Sequence, residues 1–312
     1  MRFLLLVRNR LAHAVLAVIG IVVVTFFLVH LLPGDPARSI VGIRATPELI
    51  AEIRNRLGVD RPLPAQLFGY FGQILQGDLG KSFVLRIDVR ELIFARLPQT
   101  LLLVGYAGVL AIFISIPLAL IAAFRQGRLS DQVIRSSLVV ALGVPSFWLG
   151  VLLVTFLALR TGWFPSGGTG DGFLDTLWHF FLPAFTLAVS FLAVVVRSLR
   201  ASLLEVLVSD YVALARLKGI RRGRLITHHL LRNSVKPALT IFGLNLSYLL
   251  GTSVIVESIF AINGIGNTLI GAILSRDFLV VQGIALTFGI LVIGINLLVD
   301  MTRLALDPRE VS

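Results

Sequence analysis

Six stretches of this chain are apolar over nearly the length needed to cross a bilayer, and they leave little choice of solvent. A spanning helix needs about 20 residues at a rise of about 1.5 Å each. Residues 11–32, 101–124, 138–159, 238–256 and 278–299 reach or approach that length, and 180–196 is a shorter sixth that Leu177 and Trp178 extend. Charged residues make up 14% of the sequence, against about 25% in soluble domains, so the chain reads as an all-α integral membrane protein with six transmembrane helices. Arg2, Arg8 and Arg10 ahead of the first run imitate a signal peptide. The run is long and lacks a small-residue cleavage site before Pro33, so it is expected to stay as an anchor.

Six spans put both termini on one side of the membrane. That side carries 17 Lys and Arg against six carboxylates, the other side holds 11 of each, and the formal charge of +11 therefore lies on one face. The positive-inside rule makes that face cytoplasmic, with both termini inside. The long outer loop contains two helical signals. Thr46, Pro47 and Glu48 read as N-cap, first-turn proline and dipole-matched acid of a helix ending at Gly58. Leu67, Phe71 and Ile74 recur at helical spacing before Gly77, which suggests a helix on the membrane surface or across a pore mouth. The expected organisation is an N-terminal span with its extracytoplasmic region, 1–95, followed by a five-span core, 96–306, whose main cytoplasmic loop is 205–237.

Several chemistries find no support. Gly80-Lys81-Ser82 has the tail of a phosphate loop, but Leu75 stands where the first glycine belongs, no apolar strand precedes it, and the topology puts it outside the cell. His228 and His229 are adjacent and so face different ways, and His13, His30 and His179 are scattered, so no metal site is expected. No Ser-His-Asp order or paired carboxylates stand out, and the chain is expected to be non-catalytic.

Within the spans, Gly243, Ser247, Gly251, Val254 and Ser258 follow steps of four and three, which sets them on one helix face; Gly283, Thr287 and Gly294 repeat the pattern later. Close helix packing accounts for such stripes, and so does a translocation path lined by the same face. Asn245 and Thr252 lie on a neighbouring stripe. Pro117 and Pro145 each remove a backbone hydrogen bond inside a span, which kinks a helix and can provide a hinge. Glu257 is either a functional intramembrane carboxylate or an interfacial one capping the next turn. The candidate path residues are Pro145, Ser146, Asn245, Ser247, Gly251, Thr252 and Glu257.

A basic island, 210–237, separates two of the spans. Between Tyr211 and Lys236 it has seven cations (Arg216, Lys218, Arg221, Arg222, Arg224, Arg232 and Lys236) and no carboxylate. Topology explains part of this charge, and nucleic acid is not expected, because aromatic stacking platforms are missing beyond Tyr211. Ser209 or Asp210 can cap a helix through Lys218, with Gly219 as the left-handed residue after it. A second helix, about 222–233, then leads to Pro237.

At these residues the sequence resembles the permease subunits of binding-protein-dependent ABC importers, most closely the peptide and nickel branch. The family's cytoplasmic loop begins EAAxxxG and ends in proline; here it reads Ala213-Leu214-Ala215, Gly219 and Pro237. The branch pattern matches Asp210-Tyr211, Ala215-Arg216-Leu217-Lys218-Gly219-Ile220 and His229-Leu230-Leu231-Arg232-Asn233. It also matches Pro33-Gly34-Asp35-Pro36, Gly77-Asp78-Leu79-Gly80, Glu257-Ser258-Ile259-Phe260 and Arg276-Asp277-Phe278. The resemblance implies a MetI-like type I importer core with an extra N-terminal span and an extracytoplasmic lid, in the bacterial inner membrane. It further implies a second homologous permease, two ABC ATPase subunits that bind ATP and Mg, and an extracytoplasmic substrate-binding protein, with no cofactor on this chain. Contact with the ATPases would fall to Asp210, Tyr211, Ala213, Leu214, Ala215, Arg216, Lys218, Gly219 and Ile220. The expected cargo is di- or oligopeptide, with a nickel chelate or another small solute as the alternative. A secondary transporter or channel would need intramembrane ionisable groups, which are nearly absent from the span centres.

Overall fold

The structure is a computed structural model that describes residues 2–31, 46–48 and 61–306. Its elements are α1 (Arg2–Leu31), α2 (Leu63–Leu75), α3 (Val89–Phe124), α4 (Leu129–Gly143), α5 (Ser146–Leu153), α6 (Phe173–Leu207) and α7 (Asp210–Leu217), then α8 (Arg232–Ile259), α9 (Ile265–Leu274) and α10 (Phe278–Leu306). Among the described residues, five helices are long and apolar enough to span a membrane, and a sixth span is formed if the bent pair 129–143 and 146–160 is counted as one.

That bent pair corrects the expectation of one continuous span over 138–159. The chain turns by 101° between its two legs. Pro145 has no N–H and its ring excludes helical geometry at the preceding residue, so Val144 is extended (ψ 118°) and the first leg stops at Gly143. The second leg loosens into a π-helical segment, Val154–Arg160. Pro117 has no such effect: α3 runs unbroken through it for 36 residues. The weakest run in the sequence, 180–196, proves to lie in the 35-residue α6, the most buried of the spans.

The chain forms two compact units, with α3 and α10 contributing to both. The first is built on Leu101–Ile262 with the end of α10 from Ile295. Its core joins Ala119 and Ala123 of α3, Leu192, Val196, Leu199 and Leu203 of α6, Val212 and Ala215 of α7, and Leu225 and Leu230. Half of the small-residue stripe is a packing device here. A Cβ on Gly243 would collide with the Val299 side chain, and the Ser247 hydroxyl donates to Asn296 Oδ1 at 3.2 Å. Gly251, by contrast, has nothing within 4 Å of where its Cβ would be. Gly243→Leu is therefore expected to destabilise the α8–α10 contact by about 1–3 kcal/mol, the cost of overpacking. Thermal unfolding in detergent should show the loss, with partial recovery in Gly243→Leu/Val299→Ala and none in Gly251→Leu/Val299→Ala relative to Val299→Ala alone.

The second unit contains the rest of α1, the outer segment up to Thr100 and Asn263–Gly294. The expected helix over Leu67, Phe71 and Ile74 is α2, with those three half-buried and Phe68 and Leu75 exposed. Thr46-Pro47-Glu48 does enter a helix at Pro47, while its continuation to Gly58 lies outside the described residues. Two motifs almost 200 residues apart meet in this unit. Ser82 Oγ donates to Asp277 Oδ2 at 2.5 Å, the Val84 N–H donates to the same oxygen at 3.3 Å, and Ser82 Oγ in turn accepts from the Leu85 N–H at 2.9 Å. Gly80 holds φ +79°, and a Cβ there would come within 2.8 Å of Leu279. The Gly80-Lys81-Ser82 segment is thus a clasp on the turn before α10, with a glycine favoured by its left-handed backbone. Gly283, on the later stripe, also packs closely, since its Cβ would lie 2.6 Å from Val89.

Candidate functional site

Two residues separate helix α7 from the end of α6. Ser209 sits at the N-cap position; its hydroxyl donates backward to the Val206 carbonyl at 2.6 Å, and its carbonyl receives the Val212 and Ala213 N–H groups. Asp210 supplies the negative charge in the first turn. The far end closes as expected: Gly219 takes φ +70°, and the Ile220 N–H reaches back to the Ala215 carbonyl at 3.2 Å. This is the glycine-terminated helix end in which the residue beyond the left-handed position bonds five residues back.

The closure fixes which face of α7 is free. Val212 and Ala215 are buried in the core of the first unit, and Ile220 packs partly against it. Asp210, Tyr211, Ala213, Leu214, Lys218 and Gly219 face outward, and the backbone of Arg216 runs through the helix. Two exposed apolar residues escaped the sequence reading: Val208, just before α7, is 85% exposed and Leu217 is 86% exposed. A bare leucine and valine within a cationic segment were the available signal, because solvated faces seldom retain them without a partner.

The segment after Gly219 differs from expectation. Instead of a separate helix over about 222–233, one turn at Arg222–Arg224 runs into a π-helical segment, Leu225–Leu231, and directly into α8. Pro237 lies inside α8 rather than ahead of it.

The break between α4 and α5 opens a cavity of about 410 Å³, within the range of about 300–1,000 Å³ usual for small-ligand sites. One wall is the break itself, Ala141 to Ser146; α6 contributes Ser190, Phe191 and Val194, and α8 contributes Asn245 and Tyr248. The final carbonyls of α4 and the first N–H groups of α5 have no partners within their own helices, so this wall offers backbone polar groups as well as side chains. Among the described residues, no charged side chain lines the cavity.

Of the candidate path residues, Pro145, Ser146 and Asn245 meet at this cavity. The other four do not line it. Ser247 is engaged with Asn296, Gly251 is exposed, and half-buried Thr252 donates to the Tyr248 carbonyl at 3.1 Å. Glu257 is fully buried, with Ser253 Oγ 3.5 Å from its Oε1. Its backbone carbonyl accepts the Ile262 N–H at 2.9 Å and so closes the end of α8, with Ala261 in the left-handed position at φ +48°. Ser190 and Tyr248 were missed. A hydroxyl within an apolar run, and a tyrosine one turn after Asn245, are the sequence signals that mark them.

Comparison with known proteins places this architecture. Residues 115–311 match the family described as binding-protein-dependent transport system inner membrane component, and residues 1–104 match the family of its N-terminal portion. A chain of Brucella suis named as a peptide transport system permease protein is 39% identical over 308 residues, covering 97% of this chain and 98% of its own length. The glutathione transport system permease protein GsiC of Pectobacterium atrosepticum is 37% identical over 300 residues, covering 96% of each chain. Among solved structures, the inward-facing MetNI methionine ABC transporter aligns with a TM-score of 0.58 at 17% identity, over 69% of this chain and 96% of that one. An amino acid ABC transporter solved with histidines aligns at 0.52 and 19% identity, over 68% and 93%. These two share the fold, which is MetI-like. Matched by family models across nearly its whole length, the chain belongs to the binding-protein-dependent transport system inner membrane components.

Proposed function

We propose that the chain is the permease subunit of an ATP-driven importer for di- or oligopeptides, working by alternating access. ATP hydrolysis falls to two separate cytoplasmic ATPases, and the complex is completed by a second homologous permease and an extracytoplasmic binding protein. The observation that carries this reading is the build of α7: one face is rooted in the core that contains α6, and the other presents Leu214 and Leu217 to a partner. Relatives named for peptide and glutathione transport support the cargo class. The uncharged cavity suits a path that many peptides share, with selection left to the binding protein.

In this reading both termini and α7 are cytoplasmic, on the face that carries the positive charge. The N-terminal span and the extracytoplasmic region, 1–95, precede the five-span core, 96–306, and the loop 205–237 couples that core to the ATPases through Asp210 to Ile220. Ser247, Gly251, Thr252 and Glu257 belong to the approach and packing of the path, while Pro145, Ser146 and Asn245 face the cargo. Nucleotide supplies the bias between two states of one bistable assembly.

The test is reconstitution of this chain in liposomes with its neighbouring permease, ATPases and binding protein. Uptake of labelled tripeptide should require all components and ATP. Ion-gradient-driven uptake by this chain alone would overturn the reading.

A further inference from the structure

We propose that Asp131 and Arg200 form a positioning pair that makes the cavity wall follow the cytoplasmic helix. Asp131 lies in the first turn of α4, whose opposite end, Ala141 to Gly143, is part of the cavity wall. Arg200 lies on α6, ten residues before α7 begins. The two meet as a fork: Arg200 Nε donates to Asp131 Oδ1 and Nη2 to Oδ2, both at 2.8 Å. The Gly127 N–H adds a third bond to Oδ2 at 3.0 Å, and exposed Arg135 stands 3.8 Å from Oδ1. Asp131 is 1% exposed and Arg200 17%, so water does not replace the pair.

The surroundings explain why a charged fork is used here. Beside the fork, Ile134 and Leu138 of α4 pack against the apolar core cluster on α6. Apolar surfaces can slide on one another, whereas a bidentate guanidinium–carboxylate pair fixes both distance and orientation. The same cluster contains Val212 and Ala215 of α7. Displacement of α7 is thereby carried along α6 to Arg200, through the fork to Asp131, and along α4 to the break at Gly143. The Gly127 bond fixes the entry turn of α4, so the leg pivots as a unit.

This inference rests on the importer reading, and its test separates the two. In the reconstituted complex, wild-type ATP-dependent uptake must first be present, and its absence would count against the importer reading instead. Asp131→Asn keeps the shape and removes the charge; Arg200→Lys keeps the charge and removes the fork. Both are expected to leave ATP hydrolysis within about twofold of wild type and to lower peptide uptake about tenfold or more, the size of a typical coupling loss. Because the chain has no cysteine, Leu142→Cys serves as a reporter on the cavity wall. Its rate of labelling by N-ethylmaleimide should change on ATP addition in the otherwise native chain and stay constant in both variants. Preserved uptake per ATP, or a preserved ATP-dependent labelling change, would overturn the proposal. So would a parallel loss of hydrolysis and uptake, or failure of both variants to assemble, since either would confine the pair to folding.

Discussion

Gly219→Pro is expected to cut peptide uptake at least about tenfold while the complex still assembles and hydrolyses ATP, a loss within the range of a coupling free energy of about 1–3 kcal/mol. The reason is conformational. Gly219 holds φ +70°, and proline is locked near about −65°. The substitution also redirects Ile220, whose N–H closes α7 on the Ala215 carbonyl. With that closure lost, α7 is no longer held at a fixed angle between α6 and the π-helical segment that feeds α8. Space is not the issue, since nothing lies within 4 Å of a Cβ at this position. Gly219→Asn is therefore the informative control: asparagine tolerates the left-handed region and should retain most uptake. Uptake by Gly219→Pro at the wild-type rate would remove α7 from the coupling path. Equal loss in Gly219→Asn and Gly219→Pro would mean that a side chain in the partner's groove, and not the helix end, is at fault.

The features that were legible in the sequence are those encoded by local chemistry. Hydrophobic length located the spans, and the Gly219 helix end could be read because only glycine occupies that geometry without cost. Pro145 signalled a disturbance, but its size depends on what receives the freed backbone groups, and a kink became a 101° turn with a cavity beside it. The same residue type at 117 left α3 intact, so proline alone does not forecast the outcome. The shortest apolar run became part of the most buried span: Thr186 interrupts its hydrophobicity but bonds the Leu182 carbonyl within the helix, and Arg200, just beyond the run, is paired with Asp131. Helix α9, ten residues long, fell below the length of any span. The Asp131–Arg200 and Ser82–Asp277 pairs join residues 69 and 195 positions apart. Such pairings are properties of the fold, and no spacing within a single segment announces them. The π-helical segment 225–231 is illegible for another reason, since a fifth-residue hydrogen-bond pattern has no compositional mark.

Ser190→Phe should abolish uptake more completely than any change to the cavity's polarity. Ser190 is half-buried on α6 and faces the cavity beside Phe191 and Val194. A phenyl ring in its place projects into a space of about 410 Å³ that must hold the cargo, so the obstruction is steric and independent of which peptide is offered. The helix itself should tolerate the exchange, because phenylalanine and serine differ little in helix propensity. ATP hydrolysis should persist, which separates a blocked path from a misfolded chain. Asn245→Leu isolates the other variable: it removes the amide that donates to the Ile241 carbonyl at 2.8 Å while keeping the number and branching of side-chain heavy atoms, and a several-fold loss of uptake is expected from it. Ser190→Ala, smaller still and without the hydroxyl, should transport close to normally. If Ser190→Phe imports peptide at the native rate, the cargo does not pass through this cavity. The path would then have to be sought along the side of α8 that carries exposed Gly251 and half-buried Thr252.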